Sequence, residues 1–279
     1  MSNNLARKIA AFVDFRHAPP VYGPMRRVIP AAVVTLAAVS LPAMVWSGAT
    51  EARAAVEAFV ARITGVEIRD LLIEQTITFY RPDGVHVTSR GDQRLLIKPP
   101  GRQRLEETIE GRREVKLVVG GRTWIRRTDG KTYEVPTASP DKNQSHLMVP
   151  LRHSADELLA TWKALGVRND ISDTVRVAGR TITVIGARAG DRDSPAVWLD
   201  PDRGVVRFVG RETLPKGPSI IDLAFSEHRP LRGAFQFPYR QEAFVDGRLV
   251  LVISVRTIVA NADLADTLFD PEALRREPE

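Results

Sequence analysis

From residue 71 to residue 258 apolar residues recur at every second position, in runs cut by turn dipeptides about every ten residues, a pattern few folds other than an antiparallel sheet can satisfy. Leu71, Ile73, Ile77 and Phe79 alternate with Leu72, Glu74, Thr76 and Thr78. Pro82-Asp83-Gly84 turns the chain, and further runs follow at Gln93–Lys98, Arg104–Ile109, Glu114–Val119, Arg122–Arg127 and Lys131–Val135. Pro99-Pro100-Gly101, Glu110-Gly111, Gly120-Gly121 and Asp129-Gly130 separate them, all of hairpin type. A second set spans Thr174–Ala178, Thr181–Ala187, Ala196–Asp200, Val205–Thr213, Ile220–Glu227, Phe237–Val245 and Leu249–Ile258. Such a meander predicts a sandwich or barrel.

One helix precedes this pattern and another interrupts it. Val56, Phe59, Val60 and Ile63 fall at helical spacing and predict a helix over 54–64, stopped at Gly65. Ser154 with Glu157 three residues on is a capping box opening a second helix, whose stripe is Leu158, Leu159, Trp162 and Leu165. Residues 137–152 read as a loop, and Leu264–Leu274 as a short helix or capped coil. The fold class is mainly β (α+β), in one domain over residues 55–279 after a leader of 1–54.

That leader accounts for most of the charge. The formal net charge is +6, but residues 1–54 hold six Lys or Arg against two acids, and from residue 55 the balance is 34 basic to 32 acidic. A nearly neutral body argues against nucleic acid as a partner. Met25-Arg26-Arg27, the apolar run Val28–Trp46 and the small residues Ser47-Gly48-Ala49 and Ala52-Arg53-Ala54 form an export signal. Cleavage is expected after Ala49 or Ala54, Met25 is a candidate start, and the protein is placed in the periplasm. An uncleaved Val28–Trp46 would instead anchor it in the inner membrane. There is no cysteine, which excludes disulfides, thiolate chemistry and the acylated cysteine of a bacterial lipoprotein.

Four stretches resemble the LolA/LolB lipoprotein-sorting family. They are the helix and long strand ending in Phe79-Tyr80; Gly91–Arg104, with its strand, Pro99-Pro100-Gly101 turn and strand; Val118-Val119-Gly120-Gly121-Arg122-Thr123-Trp124; and Val259–Pro271, with Asn261 and Leu268-Phe269-Asp270-Pro271. The resemblance implies an antiparallel incomplete β-barrel with a helical lid around a cavity for acyl chains. Carrier members place a gating arginine directly before the motif's proline; here that position is Pro99, beside Lys98.

A concave apolar surface is the functional requirement. The candidates are Leu95, Ile97, Leu105, Ile109, Leu117, Val119, Trp124 and Tyr133, with Leu249, Leu251 and Ile253 from the last strand and Leu158 and Trp162 on the lid. Taken singly, each reads better as ordinary core; the case for a cavity is collective. Lys98, Arg102 and Arg104 are candidates for a basic rim, and Arg112, Arg113, Arg126 and Arg127 recur on neighbouring hairpins. Their alternative is a solvated outer face balanced by Glu106, Glu107, Glu110 and Glu114. Asp191-Arg192-Asp193 lacks the ligands of a calcium loop, the histidines lack compact metal spacing, and no nucleotide or hydrolase motif occurs. Ser226-Glu227-His228-Arg229 could support hydrolysis only if Glu227 and His228 converge on a pocket. The expectation is a monomeric, cofactor-free binder of lipid or acylated protein that works with inner- or outer-membrane sorting partners. An envelope regulatory module that binds a protein is the alternative.

Overall fold

The computed structural model describes residues 48–135, 150, 153–214 and 217–278; the Val28–Trp46 run and most of the 137–152 loop lie outside them. Helix α1 (Gly48–Ile63) buries Ala52, Val56, Phe59 and Ile63 as one stripe. It begins nearly two turns before the expected start at residue 54. Helix α2 (Ala155–Ala164) has the expected capping box: the Ser154 N–H donates to Glu157 Oε2 at 2.7 Å, and the Glu157 N–H donates to Ser154 Oγ at 3.2 Å. Among the described residues no helix is long and apolar enough to cross a membrane.

The strands are β1 (Leu71–Tyr80), β2 (Val87–Lys98), β3 (Arg102–Ile109), β4 (Arg112–Val119), β5 (Arg122–Arg126) and β6 (Thr132–Val135), then β7 (Ser172–Val177), β8 (Arg180–Ile185), β9 (Ala196–Asp200), β10 (Gly204–Leu214), β11 (Gly217–Arg232), β12 (Phe235–Val245) and β13 (Arg248–Ala260). All belong to one antiparallel sheet of 13 strands in the order β6-β5-β4-β3-β2-β1-β13-β12-β11-β10-β9-β8-β7, which does not close. Two consecutive meanders are thus joined by their outermost members: Leu71 pairs with Ala260 and Phe79 with Leu251. β2 starts at Val87 rather than at Gln93, because Thr88-Ser89-Arg90-Gly91-Asp92 carries no apolar alternation and is held by its pairing to β1, joined by β3 only at Gly91 and Asp92.

Register decides which face each residue occupies, since cross-strand partners share a face. Ile73, Leu95, Leu105, Lys116, Ile125 and Tyr133 form one row on the inner face, toward the helices. Leu72, Leu96, Arg104, Leu117, Trp124 and Glu134 form the row behind it, on the outer face. The principal core fills the inner face: Phe59 of α1 and Leu158 and Trp162 of α2 pack with Ile73, Phe208, Phe237 and Leu251. α1 lies against α2 and over β7 and β8.

A second, smaller core lies on the outer face. After β13 the chain passes Asn261 and Asp263, both at positive φ, and returns across β2–β5 as a 3-10 turn (Asp266–Phe269) and helix α3 (Pro271–Arg276). Leu264, Phe269 and Leu274 are buried there against Leu96, Val115, Leu117 and Trp124. The corner is pinned by Asp70, whose carboxylate accepts the N–H groups of Ala262 (2.6 Å) and Leu264 (3.1 Å), and by Asn261 Oδ1, which accepts the Arg69 N–H at 2.7 Å.

Candidate functional site

The inner face is not covered uniformly. On the β7–β10 side α1 and α2 sit directly on the sheet, and Phe59 approaches Gly204 so closely that a Cβ there would stand 2.9 Å from its ring. On the β2–β3 side Ile97, Leu105 and Ile109 are only half-buried, packed against the edge of the principal core. These three, with buried Leu95 and Ile73, make an apolar strip on the inner face of the first meander.

A polar rung crosses that strip. Gln75, Gln93 and Glu107 are register partners on the inner face, between the Ile73–Leu95–Leu105 row and the Ile77–Gly91–Ile109 row. They are only 3%, 6% and 6% exposed. Gln75 Nε2 donates to Gln93 Oε1 at 2.9 Å, and Gln93 Nε2 donates to Glu107 Oε2 at 2.7 Å. Burial makes such groups costly unless paired, so the rung fixes its own geometry. It presents amide and carboxylate groups in the middle of an otherwise apolar wall. The expected role of Glu107, balancing arginines on the solvated outer face, is therefore corrected: it lies inside, while Glu106 behind it meets Arg104.

The candidate residues divide by face. Leu95, Ile97, Leu105 and Ile109 lie together on the strip, and Leu251 and Ile253 continue the inner face on β13. Leu158 and Trp162 are fully buried between α1 and the sheet, where they fill space; the Trp162 indole N–H has no partner among the described residues. Leu117, Val119 and Trp124 are corrected to the outer face, under the C-terminal segment. The two-residue turns Glu110-Gly111 and Gly120-Gly121, with positive φ at every position, pair Ile109 with Arg112 and Val119 with Arg122. Leu105 is thereby opposite Lys116, and Leu117 faces the other way. Tyr133 keeps the inner parity but stands on edge strand β6, 42% exposed beneath Arg127.

The expected basic rim is also corrected. Lys98 Nζ donates to the Leu264 carbonyl and to Asp266 Oδ1, both at 2.7 Å, and Arg102 Nη1 donates to the same carboxylate oxygen at 2.7 Å. These cations hold the Asp266 carboxyl below the usual range, Lys98 first. Arg104, buried, donates to Glu106 (2.6 Å) and the Leu268 carbonyl (3.2 Å) and pairs with Glu277 at 2.7 Å. Arg126 Nη2 donates to the Glu277 carbonyl at 2.6 Å. All of them clamp the C-terminal segment to the outer face.

Glu227 and His228 do not form a converging pair. Glu227 is exposed and meets Arg229 at 3.8 Å. His228 is half-buried beside the β9–β10 turn, with Nε2 buried and unpartnered among the described residues. Burial, then the neighbouring Arg203 charge, pushes its pKa down to about 4. Next to it Arg180 donates to Asp200 from Nε (2.5 Å) and Nη2 (2.8 Å), and Asp200 also accepts the N–H groups of Asp202 and Arg203. Asp191 Oδ1 accepts the Asp193 and Ser194 N–H groups at 3.0 Å, which makes that segment an ordinary turn.

No family model and no curated protein matches the sequence. Solved structures do match in fold. A DUF1329 family protein from Desulfovibrio piger superposes with a TM-score of 0.53 at 13% identity, over 82% of this chain and 99% of that one. A domain from Vibrio parahaemolyticus assigned to outer membrane lipoprotein sorting superposes with a TM-score of 0.50 at 10% identity, over 82% and 100%. A LolA superfamily protein from Nitrosomonas europaea gives 0.48 at 11% identity, over 79% and 98%. At these identities the likeness is one of architecture: the chain has an open β-barrel fold that superposes on the first two, an unclosed antiparallel sheet with helices against its inner face.

Proposed function

We propose that the inner face of the first meander holds the acyl chain of a lipid or of a lipid-modified protein, and that the protein is a non-covalent carrier in the periplasm. The half-buried strip of Ile97, Leu105 and Ile109 carries this reading, because helices fill the opposite side of the sheet and leave this side as the apolar surface for a guest. The resemblance of the solved lipoprotein-sorting domain over its whole length supports it. Each methylene removed from water contributes roughly 0.8 kcal/mol, so burial alone would retain a long chain without any bond-making chemistry. The Gln75–Gln93–Glu107 rung would meet the polar end of the guest, such as an amide N–H or a hydroxyl. Export through the Val28–Trp46 segment would place the protein between two membranes, where sorting partners would load and unload it.

The test is to produce the full chain with its own leader in a Gram-negative host and purify it from the periplasm. Mass spectrometry of its organic extract is then compared with that of refolded protein. A stoichiometric lipid or acylated peptide, diminished in Leu105→Trp, is the expected result. A lipid-free extract from folded protein would sink the carrier reading in favour of a regulatory module.

A further inference from the structure

Each end of the open barrel carries both paired and free cations. At the end bearing the β2–β3 turn, Lys98 and Arg102 are spent on Asp266, and Arg62, at the end of α1, pairs with Asp202 at 2.8 Å, while Arg203 and Arg232 are exposed and pair with no carboxylate among the described residues. The other end gathers, among others, the turns between β1 and β2, β3 and β4, β5 and β6, and β12 and β13, since alternate turns of each antiparallel meander return to the same end and β13 starts beside the end of β1. There Arg81, Arg90, Arg112 and Arg248 are exposed, and none of them pairs with a carboxylate among the described residues. Asp83 is engaged within its own hairpin, accepting the N–H groups of Val85 (2.9 Å) and His86 (3.0 Å) and meeting the His86 ring at 2.9 Å, and Asp246 accepts the N–H of Ile220 on β11 at 2.9 Å. Arg113, Arg127 and Lys131 add to the cations of this end, and Glu110, Glu114 and Asp129 to its acids.

Apolar groups stand among these charges. Val85, at the tip of the β1–β2 hairpin, is 71% exposed and Val87 39%, and Tyr133 stands beside the β5–β6 turn. The start of α1 lies at this same end: Gly48 packs on the backbone of Asp170 and Ser172, and Glu51 accepts the Ser172 hydroxyl at 3.0 Å, where β7 begins. The apolar run Val28–Trp46 ends just ahead of it in the chain. Exposed valines and a tyrosine within a cationic ring match a bilayer interface, where phosphates take the arginines and the apolar tips enter the headgroup layer.

We propose that this turn-bearing end docks on an anionic lipid bilayer, with Arg81, Arg90, Arg112 and Arg248 on lipid phosphates and Val85 and Val87 inserted at the interface. The inference concerns the rim and holds whether or not the inner face carries a guest. Docked this way, the Ile109 end of the inner strip is the one next to the membrane.

Co-sedimentation of the full-chain protein with vesicles tests it, comparing pure phosphatidylcholine with phosphatidylcholine containing phosphatidylglycerol. Wild type is expected to prefer the anionic vesicles, the more so at low salt. Arg81→Gln/Arg248→Gln should weaken that preference roughly fivefold per arginine. The charge-matched control Arg203→Gln/Arg232→Gln, at the opposite end, should leave it unchanged. Equal weakening by both pairs would mean diffuse basic attraction and overturn the oriented dock. Absence of any anionic preference in wild type would overturn it too, leaving the arginines to an acidic protein.

Discussion

His228 is neutral in the folded chain at any pH above about 4, where burial has moved its pKa, whereas the unfolded chain protonates near 6.5. Between those two values the unfolded state binds a proton that the folded state refuses, so stability falls as pH drops through the window. The full loss is on the order of 3 kcal/mol, and none of it is felt above pH 6.5. His228→Gln should leave the melting temperature at pH 7 close to wild type and flatten its decline between pH 6.5 and 4. An unchanged slope would assign the acid sensitivity to other groups. The polar rung makes a second prediction at this scale. Gln93→Leu strips Glu107 of a donor and Gln75 of an acceptor inside an apolar wall, and should cost about 1–3 kcal/mol by denaturant midpoint. The rung is foreshadowed in the sequence by the polar breaks at Gln75 and Gln93 in apolar runs. Alternation alone does not say that Glu107 completes it, because the pairing of β2 with β3 across Pro99–Gly101 has to be known first.

Among the elements, the C-terminal segment explains most of what apolarity by itself misassigns. β4 and β5 are apolar on the outer face because Leu264, Phe269 and Leu274 cover Val115, Leu117 and Trp124 there. Choosing the apolar side as the inside therefore selects the wrong side for Leu117, Val119 and Trp124. The right one was legible: two-residue turns at Glu110-Gly111 and Gly120-Gly121 admit one register, and counting across them turns Leu117 outward. The strands, both helices and the closing Asn261 corner follow from local signals, and those signals are strong because each hairpin turn carries its own chemistry. What no local signal conveys is that Lys98, Arg102 and Arg104 reach across to residues 264–277. Phe269→Ala should remove the main anchor of this segment, cost about 3 kcal/mol, and shift Trp124 emission toward that of exposed indole. A stability loss below about 1 kcal/mol, with unshifted emission, would show that the segment is held by its ion pairs alone.

For the whole molecule, the extent of α1 restricts where the proposed leader would be cut. Cleavage after Ala54 would remove the fully buried Ala52, the Glu51–Ser172 hydrogen bond and the 2.8 Å pair of Arg53 with Asp156. Cleavage after Ala49 spares all three. The intact mass of periplasmic protein is therefore expected to place the amino terminus no later than Thr50. A terminus at Ala55 in stable protein would show that the first turns of α1 are dispensable. The seam between β1 and β13 governs a different stage in the protein's life. Each meander can form hairpin by hairpin as it is made, but the sheet becomes one body only when its last strand lies beside its first, an ordering of ends some 180 residues apart. Until β13 has emerged from the ribosome, the nascent chain has no finished sheet to reach. A translocation channel that accepts only unfolded polypeptide would thus receive this chain while it is still threadable, with the topology of the barrel acting as its own delay.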